Sequence, residues 1–488
     1  MLFAAAMTCP CSARSISSLS QGPVIEVRLL THVSSYLSRP GDEIRAVVVT
    51  PCKKNGYVLI PRGSIVTGRV VEAHRVGYGL IRERASLKFE FTSWQHPDGS
   101  RHKLAADLVL IDNAREEVTN KGKVKGILAA GGAPGFILGL WRDPDPSTLV
   151  RSAYGFAGVS RFILTKAPFT PLGIAGVVAL RFVVVRWPEP EIHFSPGTDM
   201  LLSLRSTPET SVWKPATVPD PVPEALIELV NTQPLESTRP RSGAAADITN
   251  LLFVGSKEEV ERAFKQAGWN LSEPLNRESG IRIIRAISAQ RGYPTAPMSL
   301  LYLEGESPDM MFQKSLNTFA KRHHIRLWRR PGQYEGKDIW AAAATHDTAI
   351  RPSGFGFTHE TDPFIDRERF KVMQDLKFAG CVAQAHMVER PEVSALSRPD
   401  TVTDGRMAVI RVKACESPFH ASASAYPLPS QRKNFYRRLA RRFVLEGRQA
   451  VTRGNVYYWG YRVARLGISQ LFPGPDHATG VASLRPVE

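Results

Sequence analysis

Between residues 23 and 118, apolar side chains recur at every second position in short runs, the period of a strand with one face buried. Val24–Leu30 alternates in this way, and Ile44–Thr50 is β-branched throughout its centre. Tyr57–Ile60, Ser64–Ala73, Leu87–Trp94 and Leu104–Ile111 continue the series. The breaks between them are turn sequences: Ser38-Arg39-Pro40-Gly41-Asp42, Lys53-Lys54-Asn55-Gly56, Pro61-Arg62-Gly63 and His96-Pro97-Asp98-Gly99. Short strands at such spacing predict an all-β barrel or sandwich over 23–205.

The pattern then changes twice. Gly126–Trp141 holds no charge, nor does Ala167–Leu180, and Phe182–Val185 follows the single Arg181. Both runs are shorter than a confident membrane span and rich in Gly and Ala. They predict an apolar hairpin over 126–185 inserted in the β-domain, either membrane-seeking or packed on the barrel. Residues 206–246 carry seven prolines and read as a linker, with a helical island at Pro223–Asn231. From Asp247 the pattern is α+β. Asn250–Val254 reads as a strand. Ser256 caps a helix with Glu259 three residues on, Val260, Ala263, Phe264 and Ala267 form its apolar face, and Gly268 ends it. Gly280–Gln290 reads as a second helix. Met298–Leu303, His324–Arg330, Ile339–Ala344, Gly380–Met387 and Met407–Lys413 read as strands.

The run Ile60-Pro61-Arg62-Gly63-Ser64 with Val66-Thr67-Gly68, and Phe194-Ser195-Pro196-Gly197-Thr198-Asp199 before Met200–Leu204, resemble the β-barrel domain of TrbI-like conjugation and secretion-channel proteins. That resemblance implies a barrel whose inserted helical hairpin reaches the outer membrane. In the second half, Leu252-Phe253-Val254-Gly255, Tyr293-Pro294-Thr295-Ala296-Pro297, Leu301-Tyr302-Leu303, Phe312-Gln313-Lys314, Arg322 to Trp328, Ala343-Ala344-Thr345, Thr358-His359 and Asp362-Pro363-Phe364-Ile365-Asp366 resemble, in order and spacing, the LssY C-terminal domain family. The resemblance implies a bacterial envelope or secretion setting and leaves the chemistry open. Glu360 and Thr361 depart from the family pattern at a place where a further His is expected.

Charge sharpens the picture. Lys and Arg number 63 against 46 Asp and Glu, a net +17 that favours anionic partners. Ten of the basic groups and one acid lie in 431–466. Tyr436, Leu439, Ala440, Phe443 and Val444 fall on one side of a helix there, and Arg437, Arg438, Arg441 and Arg442 on the other. Such a tail, 421–488, suits an anionic membrane surface or outer-membrane component, with an envelope protein or nucleic acid as the other candidate partners. The first 22 residues read as a truncated signal segment. Among five cysteines there is no CxxC pair, which disfavours structural zinc of that kind. Cys381 and Cys415 are either buried free thiols or a disulfide.

The chemistry-bearing groups concentrate in 247–420. Five of twelve histidines lie between 323 and 386. In an extended strand His324, Arg326 and Trp328 share one face, and His323 shares the other with Ile325 and Leu327. The set His324, His346, His359 and Asp362 offers the nitrogen and oxygen donors that a divalent metal, the candidate cofactor, would take, or acid/base groups for a phosphate ester. Arg326 and Asp347 are candidate ligand-binding neighbours. Against this, Asp362-Pro363 reads equally as a helix start with Asp366 and Glu368 in its first turn, and Ser353–Phe357 as a plain aromatic loop. No Walker loop, dinucleotide turn, nucleophile elbow or HExxH is present. Two functions stay open: a membrane-associated structural or secretion-related envelope component, and a hydrolase of phosphoester or lipid substrates.

Overall fold

The computed structural model describes residues 23–127, 189–205, 214–215 and 221–416, less 55–56, 78–83, 241, 354–355, 395, 397 and 399, together with 436, 440 and 444. The expected signal segment, almost all of the apolar hairpin at 126–185 and most of the basic tail, including Arg437, Arg438, Arg441 and Arg442, lie outside the described residues.

Of the two β architectures open from sequence, the first domain is the barrel. Six antiparallel strands follow one another in the order Ile65–His74, Glu43–Thr50, Val24–Leu29, Asp199–Leu204, Arg101–Ile111 and Ser86–Gln95, and the last pairs back to the first. Two short strands, Lys123–Lys125 and Glu117–Val118, extend the sheet from Ser86–Gln95. Alternation puts Val27, Val48, Val66, Leu87, Phe91, Leu108 and Leu202 inside. Closure requires a bend at Gly68, where the ladder between Ile65–His74 and Ser86–Gln95 shifts register. A Cβ at Gly68 would lie 2.3 Å from the Glu90 carbonyl oxygen, so only glycine lets the strands approach there. Ala46–Val49 is apolar without alternation because both its faces are covered. Ala46 and Val48 point into the barrel, and Val47 and Val49 pack against Phe378 of the second domain.

The second domain is an α+β layer built on a sheet ordered Asn270–Leu271, Met310–Lys314, Arg322–Tyr334, Lys337–Ser353, Leu251–Val254, Arg406–Val412 and Val382–Glu389. Gly356–Thr361 pairs with the far end of Lys337–Ser353. Only Leu251–Val254 and Arg406–Val412 run parallel. Helices Lys257–Gln266 and Ile365–Phe378 cover one face through Val260, Phe264, Val372 and Leu376. The expected capping box at Ser256 is present: its hydroxyl accepts from the Glu259 N–H at 3.2 Å and the Glu259 carboxylate accepts from the Ser256 N–H at 2.7 Å. Helix Glu224–Asn231 covers the opposite face through Leu226 and Val230, against Leu252, Trp328 and Val409. Thus Val222, Leu226, Leu229, Val230 and Ala246, within the stretch assigned to the linker on proline content, pack onto this sheet.

Other differences are local. Met298–Leu303 is not a strand and contributes only isolated bridges at Tyr302 and Leu303. The strand expected to end at Ala344 runs on to Ser353, because its neighbours on both sides keep hydrogen-bonding to it. Cys381 and Cys415 form a disulfide. Trp328 and Trp340 are core residues, each donating its indole N–H to a carbonyl, that of Glu306 and that of Gly255.

Candidate functional site

Strands Arg322–Tyr334 and Lys337–Ser353 pair in the register His323 to His346 and His324 to Thr345. Alternation divides the histidines between the two faces of the sheet. His323 and His346 lie with Lys314 on the face that meets the barrel. Arg322, His324 and Asp347 lie on the other.

On the second face Asp347, 2% exposed, is the centre. His324 Nε2 stands 2.9 Å from Oδ1, and the Arg322 guanidinium donates to Oδ2 at 3.2 Å. His359 Nδ1 lies 3.1 Å from Oδ2, an ion-pair distance but off the hydrogen-bonding direction. Arg322 also reaches His359 Nε2 at 3.1 Å. A guanidinium only donates, so this nitrogen accepts and the imidazole is neutral. Burial accordingly pushes His359 down to about 4, against the attraction of Asp347. Burial would raise the Asp347 carboxyl, but His324 and Arg322 hold it well below the usual range. His359 is a strand residue, within Gly356–Thr361.

The first face is the junction between the domains. After strand Arg101–Ile111 the chain turns through Asp112 and Asn113, and Asn113 takes the left-handed conformation at φ 52° that asparagine tolerates. This turn inserts into the second domain. Asp112 Oδ2 lies 2.8 Å from His323 Nε2, and Asn113 Oδ1 lies 2.9 Å from His346 Nε2. On its other side His323 Nδ1 meets Glu368 Oε2 at 2.6 Å. Burial would lower His323, but Asp112 and Glu368 outweigh it and push it up to about 10. His346 stacks on His323 with ring centres 4.4 Å apart and is pushed down to about 3 by burial and by the His323 charge. Arg115, Glu116 and Ala114 extend the docking through Gln290, Asn317 and Lys321.

Beside it lies a buried ionic cluster. Arg28 binds Asp199 at 2.6 Å and Asp375 at 2.9 Å. Lys314 reaches the same two carboxylates at 2.8 and 3.0 Å. Lys371 bonds Glu26, Asp199 at 2.8 Å and Asp375 at 3.3 Å. Arg28, Glu26 and Asp199 belong to the barrel, and the rest to the second domain, so the cluster ties the two together. A cleft lined by Asp112, Asn113, Asp199, Lys314 and Ser315 opens here, with a volume of about 20 Å³. That is room for a water molecule, not for a substrate.

The set His324, His346, His359 and Asp362 is therefore not one site. His324 and His359 meet at Asp347, while His346 lies on the opposite face because it is an odd step along the strand from both Thr345 and Asp347. Asp362 stands before helix Ile365–Phe378, whose cap is Phe364 rather than Asp362. It accepts the Phe364 N–H at 2.9 Å and pairs with Arg367 at 3.4 Å. Glu368 is not spent on the helix terminus but on His323. Arg326 binds Asp247 at 2.8 Å and Ser299, a tie within the domain. In the basic tail, Tyr436, Ala440 and Val444 are helical and exposed. Asp112, Asn113 and Arg28 carry no sequence signal beyond being polar residues at or beside strand ends, Lys371 and Asp375 none beyond being polar residues within a helix, and Lys314 and Asp199 stand in family motifs that do not reveal their pairing. Their partners lie up to 347 positions away.

With this geometry in view, the sequence of the second domain is decisive. Residues 228–407 match the LssY C-terminus family. The match takes in both histidine faces and the helix that carries Glu368, and leaves the barrel and Cys415 outside it. No curated protein matches the chain. Among solved structures, ComB10 of the Com type IV secretion system of Helicobacter pylori is similar over 38% of this chain and 87% of that chain, at 14% identity and a TM-score of 0.17. That likeness is too slight to bear on function.

Proposed function

We propose that this is a bacterial cell-envelope protein, exposed to an oxidising compartment, in which the barrel and the LssY-like domain act as one rigid structural or secretion-related component. The observation that carries the reading is the Cys381–Cys415 disulfide. Disulfides persist outside the reducing cytoplasm, and the LssY-like match supports the same setting. A rigid unit fits the cluster around Asp199 and Asp375, where the charges of each domain are neutralised by the other. The +17 net charge supports an anionic membrane surface, outer-membrane component or envelope protein as partner. None of the described helices is long and apolar enough to cross a membrane.

The hydrolase alternative requires a base or nucleophile facing open space. His324 and His359 are instead held against Asp347 and Arg322, and His323 and His346 against Asp112 and Asn113. The test is to produce the full chain in a bacterial host, alkylate thiols in intact cells, and separate cytosol from envelope. A linked Cys381/Cys415 peptide in the envelope fraction is the expected result. Alkylated Cys381 and Cys415 in a cytosolic protein would overturn the proposal.

A further inference from the structure

On helix Ile365–Phe378, Phe370, Gln374 and Lys377 follow one another at four and three positions and so share a face. The barrel meets that face at its turn Pro61-Arg62-Gly63. Arg62 donates to the Gln374 side-chain carbonyl and, through Nε, to the Val49 carbonyl at 2.9 Å. One residue beyond Lys377, Phe378 packs on Val47 and Val49. Lys53, exposed on strand Cys52–Lys54, completes the group from the barrel side. Burial and the charges of Arg62 and Lys53 push the Lys377 ammonium below its ordinary range.

Three cations thus converge on the seam without an acid to answer them. None of the three forms an ion pair with a described residue. Glu26, the acid whose charge reaches Arg62, is bound by Lys371 and Thr50. The negative end of the helix accounts for Lys377, which stands in its last turn. It does not account for Arg62 and Lys53, which the barrel supplies. Like charges held together in a partly buried seam repel, and a bound anion relieves that repulsion.

We propose that Lys53, Arg62 and Lys377 bind the phosphate of an anionic phospholipid headgroup, with Phe370 beside them entering the bilayer interface. Arg62 spends Nε and one terminal nitrogen on Val49 and Gln374, which fixes its planar fork and leaves the other terminal nitrogen for a phosphate oxygen. Phe370 is 45% exposed, a large apolar side chain on the same helix face as Lys377. Cations beside an exposed aromatic are what a membrane surface takes: the charges meet phosphates and the ring lies at the acyl boundary. The inference rests on the anionic-surface partner proposed above and gives that partner a face, one that exists only where the barrel and the second domain are docked.

The test is flotation of the purified full chain with vesicles of phosphatidylglycerol and phosphatidylcholine in equal parts. Arg62 is left intact because it bonds across the domains. Lys53→Gln/Lys377→Gln should bind about 25-fold more weakly than wild type, at about 5-fold for each charge near the surface. Phe370→Ala should lose about 10-fold through its lost apolar contact. Lys103→Gln/Lys257→Gln makes the same charge change at exposed positions elsewhere and should bind as wild type does. The basic residues at 431–466 are present in every variant, so the differences report this face. Circular dichroism melts check that each variant is folded, and Phe370→Trp, which should keep binding, supports the site even where the lysine variant is not folded. A folded lysine variant that loses no more than the control overturns the site and leaves the membrane partner standing. A wild type that does not float overturns both, while the envelope location keeps its own disulfide test. Inorganic phosphate, titrated calorimetrically, separates a headgroup from a free ion. Stoichiometric phosphate binding lost in the lysine variant, without vesicle binding, overturns the lipid assignment.

Discussion

Asp375→Asn removes one negative charge from the centre of the domain junction, and its cost can be worked from the contacts. Asp375 is fully buried and meets Arg28, Lys314, Lys371 and the Trp269 indole N–H. In the cluster three cations face Glu26, Asp199 and Asp375. The amide leaves an uncompensated positive charge that water cannot reach. Breaking a buried ion pair by removing one partner costs about 3–5 kcal/mol. At about 2–4 °C per kcal/mol for a unit of this size, the apparent melting temperature should fall by roughly 6–20 °C. Circular dichroism melts of the full chain at pH 7 measure it. Adding Lys314→Met removes one cation and should recover a substantial part of the loss. The pH dependence has a definite sign. Burial alone would raise the Asp375 carboxyl, but Lys314, Lys371 and Arg28 hold it below the ordinary range. A depressed carboxylate contributes stability above its unfolded pKa of about 3.9, and that contribution fades as pH falls through the folded value. The gap between wild type and variant should be constant above about pH 5 and close in stronger acid. A shift under about 2 °C at pH 7, or a double variant no better than the single one, would refute the argument that the junction depends on charge balance.

Other substitutions probe other parts. Replacing Cys381 and Cys415 together by Ala releases a crosslink spanning 34 positions; loop-closure entropy puts the loss at about 4 kcal/mol, read as a fall in denaturant midpoint that the reductant-treated wild type should match. Gly68→Ala forces a Cβ against the Glu90 carbonyl and should cost about 1–3 kcal/mol by the same unfolding assay, whereas Gly41→Ala, with open space around it, should differ only through its backbone strain. Asp347→Asn leaves Arg322 without its buried counter-charge, so a loss of about 3–5 kcal/mol is expected; a variant of unchanged melting temperature would show that His324, His359 and Arg322 do not depend on it.

Sequence alone determined whatever depends on neighbours a few positions apart. The period-2 alternation of Val24–Leu29 and Arg101–Ile111 reflects one buried strand face, and the Ser256/Glu259 box needs only four residues to satisfy a helix end. Alternation likewise predicted that His323 and His324 could not share a site, since adjacent strand residues point to opposite faces. Motif order in the second half marked the LssY-like domain. Tertiary structure decided the rest. Whether the β-domain is a barrel turned on the pairing of Ile65–His74 with Ser86–Gln95, a contact that no local pattern encodes. Residues 222–246 looked like linker because they belong to a stretch, 206–246, with seven prolines, while apolar side chains of their helix, Leu226 and Val230 among them, find a sheet assembled from later strands. His346 and His359 looked like candidates for one centre because both offer imidazole nitrogens within the same stretch of chain. Their actual partners, Asn113 and Arg322, are set by register and by the docking of a turn from another domain. The alternation that separated His323 from His324 could not say that Asp112, 211 positions away, would reach His323: burial and charge act through space, and the chain brings those groups together only once both domains have folded and docked.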